Sequence, residues 1–158
     1  MLFILVAKLQ KKIGSGKNCI FIKKTMAALS QNHIIYTKDG SHTLSLLDKN
    51  EHYHSTFGAL SESLHIFITH GLNEKTHKKE LNILEVGFGT GLNALLTLMH
   101  KGQTSILYHA IEPFPIDLEI VEKLNYPNLL NAERFHFENI HRKEFGCLTE
   151  IESNFKIK

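Results

Sequence analysis

The alternation of apolar and polar positions is clearest after residue 32. Between His33 and Leu47 the β-branched and apolar residues Ile34, Ile35, Thr37, Thr43, Leu44 and Leu46 flank Lys38-Asp-Gly-Ser41. Asp-Gly between two strand-like runs predicts a small antiparallel hairpin. A polar loop follows through Glu51-His-Tyr-His-Ser55, and then Leu60, Leu64, Phe67 and Ile68 recur at the spacing of an amphipathic helix, closed by His70-Gly71. From Leu81 the rhythm becomes strand, loop, helix, strand, helix. Leu81-Asn-Ile-Leu-Glu-Val86 reads as a parallel strand buried on both faces. Leu92, Leu95, Leu96 and Met99 define a helix closed by Gly102, Ile106 to Ile111 a second strand, and Ile116, Ile120, Val121 and Leu124 a second helix. The stretch from Leu129 to Cys147 reads as helix plus loop, and Phe155-Lys-Ile-Lys158 alternates like the start of a third parallel strand. Residues 1–25 carry no sustained period, and Ile13-Gly-Ser-Gly-Lys17 interrupts any helix there. They are expected to be an extension outside the domain, upstream of a natural start at Met26 or loosely attached.

Composition narrows the class. The 158 residues allow one domain at roughly 100–200 residues each. An apolar fraction of 42% is that of a globular chain. The net charge of +2 is unevenly placed: residues 1–25 carry six lysines and no acid, and the remainder holds 12 basic and 16 acidic side chains, a net of −4. The basic character therefore announces no nucleic-acid partner. The opening apolar run lacks the pattern of a secretory signal or a membrane span. Cys19 and Cys147 have neither disulfide-framework nor zinc-ribbon spacing, which makes the reducing cytosol the default compartment.

The chemistry concentrates around residues 85–112. A glycine-rich turn between a buried strand and a helix lets backbone approach a ligand closely, and an acid at the end of the next strand can accept hydrogen bonds from ribose hydroxyls. Glu112 stands 25 positions after Gly87, directly after the second apolar run. The dinucleotide fingerprint wants a third glycine where Leu92 stands. The spacing from Glu85 through Gly87, Gly89 and Gly91 instead resembles motif I of class I S-adenosylmethionine-dependent methyltransferases, and Glu85 suits the ammonium of that cofactor's amino-acid tail. His52 and His54 with Glu51 lack a third well-spaced metal ligand, so no metal is expected. Lys75, Lys78 and Lys79 read as a solvated linker rather than a phosphate contact.

Five strings carry a closer resemblance: Asp39-Gly-Ser-His-Thr43, Glu51-His-Tyr-His-Ser55, Ala59 to Phe67, Glu85-Val-Gly-Phe-Gly-Thr-Gly-Leu-Asn93 and Ala110-Ile-Glu-Pro-Phe-Pro115. From about Ile34 to Tyr126 the chain resembles the MnmD family, itself similar to the methyltransferase half of bifunctional MnmC. The resemblance implies an α/β, Rossmann-like class I methyltransferase fold with a partial parallel sheet, preceded by a small hairpin and helix. Residues 26–158 would then be the N-terminal part of the domain. It implies methylation of the aminomethyl group of 5-aminomethyl-2-thiouridine at the tRNA wobble position, with S-adenosylmethionine as cofactor, tRNA as partner and a separate FAD-dependent oxidoreductase acting upstream. By position, Gly87, Phe88, Gly89, Thr90, Gly91 and Asn93 would hug the cofactor and Glu112 hold its ribose, while His52, Tyr53, His54, Ser55 and Glu62 would line the methyl-acceptor side. The family's later aspartate-bearing strand and tryptophan segment have no counterpart before Lys158, which leaves the catalytic residue unassigned and the chain expected to be truncated. Two other readings stay open: an inert fragment, and an oxidoreductase that is nicotinamide-dependent or acts on CH–NH groups.

Overall fold

The computed structural model describes residues 2–6, 32–46, 51–142, 144 and 146–158. Expectations that fall on residues 7–31, including the start at Met26 and the state of Cys19, lie outside the described residues.

Two sheets form. Strands β2 (Asn32–Tyr36), β3 (His42–Leu46) and β4 (Glu51–His52) make an antiparallel sheet in that order. The predicted hairpin is its first pair, with Ile34 opposite Leu44 and Gly40 taking φ +81° in the turn. The second sheet has the order β1-β5-β6-β8-β7, from β1 (Leu2–Val6), β5 (Glu80–Val86), β6 (Ser105–Ile111), β7 (Thr149–Glu152) and β8 (Phe155–Ile157). β1, β5, β6 and β8 run parallel, and β7 folds back antiparallel on β8. Leu2–Val6, within the segment expected to lie outside the domain, thus pairs along its whole length with β5, from Leu2 beside Asn82 to Val6 beside Val86.

The helices are short. α1 (Ala59–Ser63) widens into a π-helical segment, Leu64–Leu72, where the α spacing predicted one continuous α-helix; its last turn closes with the Asn73 amide donating to the Ile68 carbonyl at 2.9 Å. α2 (Leu92–His100) follows the glycine turn, and α3 (Leu118–Val121), α4 (Tyr126–Leu130) and α5 (Arg134–Arg142) fill the region between β6 and β7. α2 is buried almost all round, from Leu92 through Leu98, because it lies in the core with the π-helical segment packed on it. Met99, expected on its buried stripe, is 39% exposed.

Among the described residues the parallel sheet is covered on one face, not two. Leu81, Ile83, Glu85, Ile106, Tyr108, Phe155 and Ile157 are buried on the helix side, whereas Asn82, Lys156 and Lys158 are exposed and Leu84, Leu107 and His109 only half-buried. The run Leu81 to Val86 looked continuous because Leu84 and Val86 are apolar, but it alternates like a sheet with one open face.

α1 is held by the turn of the hairpin. The Asp39 carboxylate accepts from the backbone amide and hydroxyl of Ser61, each at 2.8 Å, while the Ser41 hydroxyl accepts from the Leu60 amide at 3.1 Å. With the Ala59 amide donating to the Thr37 hydroxyl at 3.4 Å, three of the helix's four otherwise unpartnered first amides are satisfied from 19 to 22 residues away. The carboxylate sits so close that a Cβ on Gly58 would lie 2.5 Å from its Oδ2. Burial raises the Asp39 pKa, but hydrogen bonds from Ser41, Thr37 and Ser61 outweigh it and hold the carboxyl well below the usual carboxylate range.

Candidate functional site

The C-terminal ends of adjacent parallel strands in an α/β sheet are where ligands bind. β5 and β6 bring the glycine turn and Glu112 together there. Gly87, Gly89 and Gly91 take φ of +87°, +54° and +71°, a region closed to most side chains, so the chain can reverse within five residues only with glycine at those positions. The Gly87 amide donates to the Ile111 carbonyl at 2.9 Å, tying the turn to the end of β6. The Gly89 amide donates to Glu112 Oε2 at 2.9 Å, and Glu112 Oε1 accepts from the Phe114 amide at the same distance. The Gly91 amide donates to the Phe88 carbonyl at 3.0 Å. All three glycine amides are therefore taken by protein acceptors.

Glu85 lies behind the turn. Its carboxyl is fully buried, with Oε1 accepting from Asn93 Nδ2 and Oε2 from the Tyr108 hydroxyl, both at 2.9 Å. Burial pushes its pKa up to about 7 against those two hydrogen bonds, with Glu112 adding to the rise. Tyr108 is raised well above its usual value by burial and by Glu85. Asn93 Oδ1 is buried and takes no hydrogen bond among the described residues.

The loop expected on the acceptor side meets the glycine turn. Tyr53 stacks over Gly89: a Cβ there would lie 3.1 Å from Tyr53 Cδ1. The loop is fixed by the Tyr53 amide donating to the Leu44 carbonyl at 2.9 Å, and by the Thr43 hydroxyl, which accepts from the His54 amide and contacts His54 Nδ1, both at 3.1 Å. The Ser55 amide donates to Glu62 Oε2 at 2.9 Å, so Glu62 on α1 braces the same loop. Burial lowers the His54 pKa to about 4 despite nearby Glu62, which keeps the imidazole neutral at pH 7. His52 lies on β4 opposite Ser45.

Residues the sequence left unassigned complete the arrangement. The Tyr126 hydroxyl donates to the His42 carbonyl at 2.7 Å and meets the Thr90 hydroxyl at 3.2 Å, joining the small sheet to the glycine turn. Asn125 reinforces that junction, accepting from the His42 amide and donating to the Gly40 carbonyl, both at 2.9 Å. His141, on α5, reaches the Thr90 carbonyl. Pro127 after Asn125-Tyr126 was the one local signal of a helix start here.

No family model matches the chain. Over 66 residues, 40% of its length, it is 39% identical to the tRNA 5-methylaminomethyl-2-thiouridine biosynthesis bifunctional protein MnmC of Burkholderia mallei, and equally to that of Burkholderia pseudomallei. The chain has partial homology to MnmC. The match spans about a tenth of the length of those curated relatives. Among solved structures, MnmC2 from Aquifex aeolicus is 28% identical, with a TM-score of 0.47, over 71% of this chain and 42% of that one. Among the described residues no group of three or more His, Cys, Asp or Glu is placed to hold a metal ion, and no helix is long and apolar enough to cross a membrane.

Proposed function

We propose that the chain is the cofactor-binding front of an S-adenosylmethionine-dependent methyltransferase, acting in the larger protein on the aminomethyl group of the modified wobble uridine of tRNA. The observation that carries this reading is the glycine turn. A pyrophosphate would need the glycine amides as donors, and Gly87, Gly89 and Gly91 have already given theirs to Ile111, Glu112 and Phe88. The Glu112 carboxylate borders the turn, and behind it Asn93 Oδ1, beside buried Glu85, is an unmatched acceptor, which suits a ligand bringing donors such as ribose hydroxyls and an ammonium rather than phosphates. The same features weigh against the nicotinamide-dependent reading.

When bound, the cofactor supplies an electrophilic methyl group on a cationic sulfur. The protein's task is positioning: Glu112 at the ribose side, Asn93 and Glu85 at the amino-acid side, and Tyr53 at the boundary with the acceptor. The acceptor amine must be neutral to attack, and a primary alkylamine has a pKa of about 10.4. His54, with its pKa near 4, is too weak a base to take that proton and instead fixes the loop through Thr43. Glu62, its carboxylate held by the Ser55 amide, and His52 are the remaining candidates of the expected acceptor side.

Calorimetric titration of the full chain with S-adenosylmethionine, and separately with NAD, tests the proposal. Micromolar binding of the first alone supports it; binding of NAD, or of neither, removes it.

A further inference from the structure

The segment of least certain period in the sequence reaches the glycine turn from behind. His141 on α5 brings Nε2 to 3.2 Å from the Thr90 carbonyl oxygen. Its ring stands edge-on to Phe88 at 5.1 Å and to Phe137 at 4.9 Å, between the turn and the core of α5. It passes directly over Gly91, where a Cβ would lie 2.6 Å from Nε2. From another side Tyr126 meets the hydroxyl of the same threonine. Thr90 separates two glycines of positive φ and is held at both its carbonyl and its hydroxyl.

A carbonyl oxygen only accepts, so the 3.2 Å contact is a hydrogen bond when Nε2 carries the proton. We propose that His141 is a positioning residue for the cofactor: as the Nε2–H tautomer it holds the Thr90 carbonyl and keeps the glycine turn in its ligand-ready shape. The inference rests on the S-adenosylmethionine reading of that turn. A loop with three positive-φ glycines in five residues has much conformational freedom to lose on binding, and a donor that fixes the carbonyl between two of them removes part of that loss beforehand. His141 need not touch the ligand to do this.

Two variants of the full chain separate the hydrogen bond from the packing. His141→Phe keeps a ring between Phe88 and Phe137 but has no N–H; His141→Gln carries an amide N–H that reaches the same carbonyl. His141→Phe is expected to bind S-adenosylmethionine about three- to ten-fold more weakly through loss of the hydrogen bond to the Thr90 carbonyl. His141→Gln is expected to recover most of that affinity, which packing alone would not allow. A third measurement needs no variant: the ¹⁵N spectrum of histidine-labelled free chain should show His141 protonated at Nε2. Wild-type affinity in His141→Phe, an equal loss in His141→Gln, or an Nδ1–H tautomer overturns the inference while leaving the methyltransferase reading intact. A wild-type chain that binds no S-adenosylmethionine removes both.

Discussion

Replacing Glu85 by Gln isolates the energetics of the buried carboxyl. The side chain keeps its shape and its place between Asn93 and Tyr108 but loses its titration. Burial, opposed by those two hydrogen bonds and aided by Glu112, raises the folded-state pKa from an ordinary 4.5 to about 7. Between those values the folded chain binds a proton that the unfolded chain has lost, so stability falls as pH rises through the window and is level above it. A rise of that size, at 1.36 kcal/mol per unit, corresponds to about 3 kcal/mol of stability present below pH 4.5 and lost by pH 8. In Glu85→Gln this contribution is absent. Urea denaturation of both chains at several pH values between 4.5 and 8 reads it directly. Subtracting one curve from the other cancels the titrating groups that do not interact with Glu85 and any constant offset from the amide, leaving Glu85 with its smaller coupling to Glu112. The variant is expected to gain about 3 kcal/mol relative to wild type across the range. Differences that stay constant with pH to within about 1 kcal/mol would refute the reasoning, because they would mean the carboxyl is solvated or already ionised in the folded chain.

Three further substitutions probe the supports of the site. Asp39→Asn removes the charge that receives the Ser61 amide and hydroxyl, and should destabilise the chain by about 1–2 kcal/mol at pH 7 in thermal or urea unfolding. Because the Asp39 pKa is depressed in the fold, its stabilisation is present above the ordinary value of 3.8 and disappears as pH falls below it, so the variant and wild type should converge in acid. Glu112→Ala releases the Gly89 and Phe114 amides as well as removing the proposed ribose acceptor, and should weaken S-adenosylmethionine binding about ten- to a hundred-fold by calorimetry. Gly91→Ala combines a φ of +71° with a Cβ 2.6 Å from His141 Nε2. It should destabilise by about 1–3 kcal/mol, and adding His141→Ala should recover the steric part but not the backbone part.

What the sequence made legible is local. Asp39-Gly40 announced the hairpin, the 87–91 glycines announced the turn, and the distance to Glu112 announced which strand end would face it; each signal lies within one supersecondary unit. Partnerships across the chain were not legible. Nothing in Leu2–Val6 says it will lie beside β5, since a five-residue apolar run pairs with whichever edge the fold leaves open. Thr149-Glu-Ile-Glu152 is too short for a period, and its role as the antiparallel neighbour of β8 depends on the turn at Ser153-Asn154, where Asn154 takes φ +64°. The widening of Leu64–Leu72 to a π-helix kept the apolar stripe and changed only the hydrogen bonding, which residue spacing does not report. His141 sits on an amphipathic helix among Phe135, His136 and Phe137, and only the fold singles it out.

The two acids at the glycine turn do different work, and their registers explain why. Glu85 shares a strand face with Leu81 and Ile83, so its carboxyl is carried into the core, where Asn93 and Tyr108 must meet it and burial favours its neutral form. Glu112 follows the last residue of β6, where the strand has ended and the carboxyl turns back to receive the amides of Gly89 and Phe114. One acid is a buried strut under the turn and the other a latch across it. The latch takes a glycine amide that a phosphate would require, and the strut's partner Asn93 keeps a buried, unmatched acceptor, Oδ1, among the described residues. Which face of β5 an acid occupies, and how far past β6 the next one stands, thus decide that Glu85 is enclosed with Asn93 and Tyr108 while Glu112 closes the glycine turn from outside the strand.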